Sequence, residues 1–269
     1  MKLTVRGLLT LFLLFSPVLL LAQGNKILVV VPDGRTETDS IPTNTGATYV
    51  FSTLQGHSYS IEQSRGLNSP TLPMWAAPAC PGPYGISIID TSMMDPAVTI
   101  NTGFGQQRQR LAFACPGPVN PYGPQGQSSV MFYNMSGSAY SFSISVIDTT
   151  LLSAKWKAGT NSDTFWTFTN TTSAPVNISI NLVDTNGFPQ FLPNPGPTPI
   201  TIAPGATYST DTTQIPPFLR TTPTGAPLSG SILVGQNGPP GAILATAVIV
   251  TSSGGTATST ETVKFESKL

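Results

Sequence analysis

Between Tyr140 and Ile147 the residues Tyr140, Phe142, Ile144 and Val146 alternate with Ser141, Ser143 and Ser145. A period of two sends apolar and polar side chains to opposite faces, so this segment predicts an antiparallel strand with one dry face and one wet face. Shorter apolar runs upstream predict further strands at Lys26–Val31, Tyr49–Phe51, Tyr59–Ile61, Ile86–Ile89, Ala97–Ile100, Arg110–Ala114 and Ser129–Tyr133. Gln55-Gly56-His57, between the second and third of these runs, predicts a hairpin. The stretch from Pro70 to Pro83 cannot be a central strand, because each proline removes a ladder donor.

The strand pattern stops at Asp148-Thr149-Thr150 and restarts at Leu151–Trp156. It continues through Asp163–Thr169, Val176–Val183, Ile200–Ile202, Leu228–Val234, Ala242–Val250 and Thr260–Phe265, with a proline-rich crossing from Ile215 to Pro227. Asn186-Gly187 and Gly238-Pro239-Pro240-Gly241 predict turns. No stretch has sustained helical spacing. The expected fold is all-β: two tandem antiparallel β-sandwiches, Ig-like or jelly-roll-like, spanning 25–148 and 149–269.

The first residues have a different pattern. Lys2 and Arg6 precede an apolar run from Leu8 to Leu21, and Ala22 follows it. This is the layout of a cleaved secretory signal, expected to cover 1–22. The run is shorter than the roughly 20 apolar residues that span a bilayer, and no later segment reaches that length, so no transmembrane segment is expected in the mature chain. The expected location is outside the inner membrane: periplasm, cell surface or medium.

Composition narrows the reading. Charged residues make up 9% of the chain, while there are 25 glycines and 26 prolines, and the hydrophobic share stays at 39%. Disordered chains lack such a supply of regularly spaced apolar residues, so many turns between short strands are the better account. Without Lys2 and Arg6 the remaining charge is about −2 with no charged blocks. Nucleic acid and anionic lipid each demand a concentrated basic face, so neither is an expected partner.

Cys80 and Cys115, each in a Cys-Pro-Gly-Pro tetrapeptide, are the two cysteines. In an oxidising compartment they predict one disulfide, and two lone cysteines beside a single histidine argue against zinc. No cofactor is expected.

Thr48 to Ile61, TYVFSTLQGHSYSI, resembles the opening hairpin of the bacterial pre-peptidase C-terminal domain family, and Arg110 to Val146 resembles its closing strands through RLAFACP and AYSFSISV. The resemblance covers roughly residues 46 to 147. It departs where the family has Gly-x-Tyr, here Gly126-Gln127-Ser128-Ser129-Val130, and the acidic calcium loops of some members are missing. The remainder is similar to an unnamed β-sandwich module of secreted bacterial proteins, through SDTFWTFTNTTSAPV, NLVDTNG, GPPGAILATA and VKFE. What the first resemblance implies is a non-catalytic accessory module.

Candidate chemistry is sparse. His57 is the sole histidine and reads as an exposed loop residue; a Ser-His-Asp hydrolase would need it buried, bonded to a carboxylate and close to a serine in a cleft. No Gly-x-Ser-x-Gly elbow accompanies it. Asp33 with Asp39 and Asp90 with Asp95 are the nearest carboxylate pairs, and they read as turn chemistry. Asp184-Thr185-Asn186-Gly187 has part of a calcium loop but lacks the later glutamate. Asn134, Asn170 and Asn177 fit the glycan-acceptor pattern, which Ser/Thr-rich sequence produces by chance.

Aromatic residues are the better recognition candidates. Alternation places Phe165 on one face and Trp166 with Phe168 on the other, which makes Trp166 either a ligand contact or a core residue. Trp156 has the same two readings. Trp75, Tyr84 and Tyr122, in the Pro-Gly stretches, are candidates for exposed contact. The expectation is a secreted or surface-associated, non-catalytic binding, adhesion or structural module whose partner is a polysaccharide or a protein. The alternatives are an unrecognised extracellular hydrolase and an envelope assembly factor that accepts a partner strand.

Overall fold

The computed structural model describes residues 26–65, 74–82, 86–90, 108–116, 125–135, 137–186, 188–190, 199–216, 220–221 and 226–267. The expected signal segment, the strand expected at Ala97–Ile100, Tyr84, Asp95 and Tyr122 lie outside them. The chain is all-β, and among the described residues the strands form four sheets and the one helical element is a short 3-10 turn at Thr212–Gln214. No helix among the described residues is long and apolar enough to cross a membrane.

Each sheet draws its strands from one half of the chain. Sheet A runs in the order β1 (Lys26–Val29), β3 (Thr45–Thr53), β8 (Gly126–Asn134), β5 (Met74–Ala77). It is mixed and not wholly antiparallel as expected, because the chain crosses to another sheet between β1 and β3 and returns with β1 parallel to β3. Sheet B runs β2 (Asp33–Ile41), β9 (Tyr140–Asp148), β4 (Ser58–Arg65), β7 (Arg108–Ala114), β6 (Ser87–Asp90). Sheet C runs β13 (Pro189–Gln190), β12 (Val176–Asp184), β16 (Leu228–Gln236), β10 (Leu151–Ala158), β19 (Glu266–Ser267), with β14 (Ile200–Ile202) also on β12. Sheet D runs β15 (Thr207–Asp211), β11 (Ser162–Asn170), β17 (Ile243–Ser253), β18 (Thr256–Lys264). Sheet membership changes between β9 and β10, where the sequence pattern breaks.

Burial follows the alternation. In β9 the side chains of Tyr140, Phe142, Ile144 and Val146 are buried, as expected. They meet Tyr49, Phe51, Val130 and Phe132 of sheet A in one core cluster, where Tyr49 and Phe132 lie edge to face at 5.7 Å. A second cluster joins Trp166 and Phe168 of sheet D to Trp156, Ile178, Ile232 and Val234 of sheet C. Cys80, which follows β5, and Cys115, which follows β7, form the expected disulfide with their Cα atoms 5.2 Å apart, clipping sheet A to sheet B.

The expected hairpin at Gln55-Gly56-His57 is a corner instead. β3 pairs with β1 and β8, whereas β4 pairs with β7 and β9, so the turn carries the chain from one sheet to the other. Gly56 takes φ +80° there, its N–H donates to the Cys115 carbonyl at 2.7 Å, and the Tyr59 hydroxyl accepts from the Leu54 N–H at 2.8 Å. Alternating apolar residues suit a strand in either sheet, so the pattern alone does not choose the partner.

Candidate functional site

The correction with the largest bearing on function concerns His57. It is 8% exposed, buried where the two halves meet, and its Nδ1 lies 2.6 Å from Asp148 Oδ2. Asp148 Oδ1 accepts from the Thr150 N–H at 3.0 Å and from its hydroxyl at 2.5 Å, while Thr150 Oγ1 accepts the Ser58 N–H at 2.8 Å. Ser58 Oγ is 3.2 Å from Thr149 Oγ1, which in turn donates to the Gln236 carbonyl of β16 at 2.8 Å. The chain burying His57 comes from residues about ninety positions downstream, which a local reading of Gly56-His57 does not contain.

The rest of this junction fits the same role. Sheet B turns its second face, with Ile89, Ala112 and Ala114 buried, toward sheet C. Ser87 Oγ is 3.2 Å from Ser179 Oγ, and the Asn237 amide donates to Asp90 at 3.0 Å. Gly235 is needed for the approach, because a Cβ there would stand 2.7 Å from both Ile89 Cδ1 and Ser58 Cβ. A cavity of about 10 Å³ remains beside His57, lined by Ser58, Thr150, Asn181 and Leu233 among others. That is room for about one water.

Trp156 and Trp166 are fully buried and belong to the second core cluster, so neither offers a ligand contact. The Trp156 indole N–H donates to the carbonyls of Val183 and Ser231, at 3.2 and 3.0 Å. Trp75 lies in β5 and pairs in register with Met131. Asp33 and Asp39 do not form a working pair: Asp33 holds Arg35, and Asp39 holds Lys26 and the Tyr49 hydroxyl. Burial favours the neutral acid at Asp39, but hydrogen bonds from Lys26, Tyr49 and the Ser40 N–H outweigh it and hold its pKa below the usual value. Burial first, and Asp39 second, push the Tyr49 phenol well above its ordinary range.

Asp184 closes a hairpin, as the sequence suggested, accepting from the N–H groups of Asn186 and Phe188 at 2.8 and 2.9 Å. No group of three or more metal-ligating side chains occurs among the described residues. Asn134 and Asn170 are fully buried, with amides bonded to backbone carbonyls, so neither can accept a glycan in the folded chain.

The two end sheets carry surfaces that local sequence reading largely missed. On sheet A, Ile27, Val29 and Val31 are exposed, Val29 at 82%. Register places Ile27, Thr48, Met131 and Trp75 in one cross-strand row and Val29, Val50, Ser129 and Ala77 in the next. On sheet D the face opposite Trp166 carries Phe165, 43% exposed, and Leu244, 60% exposed, among threonines and serines. Alternation did predict the separation of Phe165 from Trp166.

No protein-family model and no curated protein matches this chain.

Proposed function

We propose that this chain is an exported, non-catalytic binding and adhesion module of two tandem β-sandwiches, 25–148 and 149–269, following a signal peptide, and that the first resembles a pre-peptidase C-terminal domain. The observation that carries the reading is the aliphatic outer face of sheet A, with Ile27, Val29 and Val31 exposed on and beside an edge strand. A sheet face turned to solvent is ordinarily polar, and an edge strand ordinarily carries charge or proline, whereas β1, parallel to β3 at the edge of sheet A, carries neither on that face. Exposed apolar patches mark surfaces that another molecule covers. The hydrogen-bonded junction around His57 supports the same reading, since it packs sheet B against sheet C and leaves sheets A and D with their outer faces turned away from it.

The test is binding of the mature protein to immobilised polysaccharides, peptidoglycan and matrix proteins. Specific capture weakened by Val29→Ser or Trp75→Ala, with the melting temperature unchanged, supports the reading; a folded protein that captures nothing overturns it.

The His57–Asp148 pair favours a second reading, an extracellular hydrolase, because a carboxylate on Nδ1 is the orienting half of a catalytic triad. Among the described residues the cavity beside His57 has space for about one water, too little for a substrate, so the junction role is the better account. Ester or glycoside hydrolysis that disappears in a folded His57→Ala variant would reverse that preference.

A further inference from the structure

The outer face of sheet D has a chemistry unlike that of sheet A. Register aligns Ser209, Thr167, Thr246 and Lys264 in one row across the four strands. The neighbouring row is Asp211, Phe165, Val248 and Thr262, and on the other side Thr207, Thr169 and Leu244 form a third. Strands about 4.8 Å apart, with same-face residues about 6.8 Å apart along each, make this a face roughly 14 Å on a side.

Two features give the face order. Thr167 and Thr246 hold each other, Oγ1 to Oγ1, at 2.5 Å, and Thr169 and Thr207 do so at 2.8 Å. A β-branched threonine on a strand has little χ1 freedom to begin with, and a hydroxyl pair removes more, so a ligand meets hydroxyls already set. Each hydroxyl has one donor and two acceptor positions, so a pair joined by one bond still has capacity facing outward.

Charge then selects the ligand. The middle of the face carries none. Asp211 and Lys264 stand at opposite ends of their rows, on β15 and β18, and Asp163, further along β11, is already held by Arg220 and by the Thr212 hydroxyl. An acidic glycan or a nucleic acid would find no basic field there. A neutral polysaccharide fits: its hydroxyls both donate and accept, as the threonines do, and the apolar face of a sugar ring stacks on an exposed aromatic ring. Phe165 supplies that ring, and Leu244, four residues along the neighbouring strand's register, extends the apolar contact to the far side of the hydroxyl row.

We propose that the outer face of sheet D, centred on Phe165 and the Thr167–Thr246 pair, is a binding platform for neutral polysaccharide. This rests on the reading of the chain as a binding module, but not on sheet A as the site.

The experiment is retention of the full mature chain on insoluble neutral glucan and on chitin, compared with an acidic polysaccharide. Parallel measurements use Phe165→Ala, the double variant Thr167→Val with Thr246→Val, and Val29→Ser. The expected result is retention on a neutral polymer that survives high salt, weakened about tenfold by Phe165→Ala and by the double threonine variant, and unchanged by Val29→Ser. Both altered sites are on the surface, and an unchanged melting temperature checks folding. Neutral-polymer retention that ignores the sheet D variants but falls with Val29→Ser overturns this proposal and leaves the binding reading standing. No retention on any neutral polymer also overturns it, and protein capture by sheet A then decides the broader reading separately.

Discussion

The two halves of the chain close their sheets with the same side chain. Asn134, at the end of β8, donates its amide to the Ile41 carbonyl of sheet B at 2.8 Å and to the Ser138 carbonyl in the turn leading to β9 at 2.9 Å. Asn170, at the end of β11, donates to the Ile202 carbonyl of sheet C at 2.9 Å and to the Ala174 carbonyl in the turn leading to β12 at 2.8 Å. The long-range clips differ. The first half adds a disulfide and a chain of aromatic contacts, whereas the second packs two tryptophans and a Phe168–Phe265 pair among aliphatic residues and has no cysteine. The corner is therefore what the architecture requires. The disulfide anchors the chain just after β5, an edge strand of four residues within the proline-rich stretch.

The comparison breaks first at the asparagines. Asn134→Ala and Asn170→Ala each leave two carbonyls without their donor, and an unmet buried group costs about 1–3 kcal/mol, so each variant is expected to lose roughly 2–5 kcal/mol in denaturant unfolding. Asparagine to aspartate should be as harmful, since it points an acceptor at two acceptors. A large loss at one site and none at the other would mean that the corners are alike only in geometry.

Next comes the disulfide. Replacing Cys80 and Cys115 by alanine reopens a loop of 35 residues, for which the chain-entropy model gives roughly 3–4 kcal/mol. The loss should fall on the first half alone, which hydrogen exchange resolved along the chain would detect. Equal loss of protection in sheets C and D would show that the halves unfold as one unit.

How much of this was legible in the sequence depended on how local the cause was. The faces of β9 follow from its own alternation, and Phe165 against Trp166 follows from adjacent positions. The disulfide follows from the count of cysteines. His57 was misread because its burial comes from Asp148, Thr150 and the β16 strand beyond them. Asn134 and Asn170 matched a modification pattern while serving as corner locks, and the signal that distinguishes them is a pairing recognisable only once both corners are known: each asparagine ends a strand and is followed four residues later by the carbonyl it holds. The β3–β4 turn was misread because strand pairing is a long-range choice that alternation does not encode.

The seam between the halves gives the third prediction. Gly235→Ala places a Cβ 2.7 Å from Ile89 Cδ1 and Ser58 Cβ. Overpacking of this kind costs about 1–3 kcal/mol, and because the strain lies between sheets B and C it should appear as lost coupling. Small-angle scattering should show a longer molecule, and two thermal transitions should separate if wild type has one. An unchanged profile would mean that the seam yields and that the His57 network alone holds the halves together.

The smallest expected effect tests the rim of the first half, where Lys26 of β1 and Tyr49 of β3 meet Asp39 of β2 and tie the edge of sheet A to that of sheet B; the second half has Lys155 of β10 on Glu261 of β18 in the corresponding role. Asp39 has a folded pKa below its ordinary value near 3.8, so the folded state releases its proton more readily than the unfolded chain. The stabilisation is thus fully present above about pH 5 and is lost as pH falls through the ordinary carboxylate range and below. Tyr49 and Tyr59 act at the other limit: burial raises both phenols, so stability should fall as pH rises above about 10, where the unfolded chain ionises first. Lys26 is partly exposed, which keeps the acid-side contribution to about 1 kcal/mol or less. Asp39→Asn should flatten the decline in stability between about pH 5 and pH 3 while leaving the alkaline limb in place, because Tyr59 still titrates there. If the acid limb is as steep without Asp39 as with it, the carboxylates of the second half carry the acid sensitivity, and the rim of the first half is a matter of geometry alone.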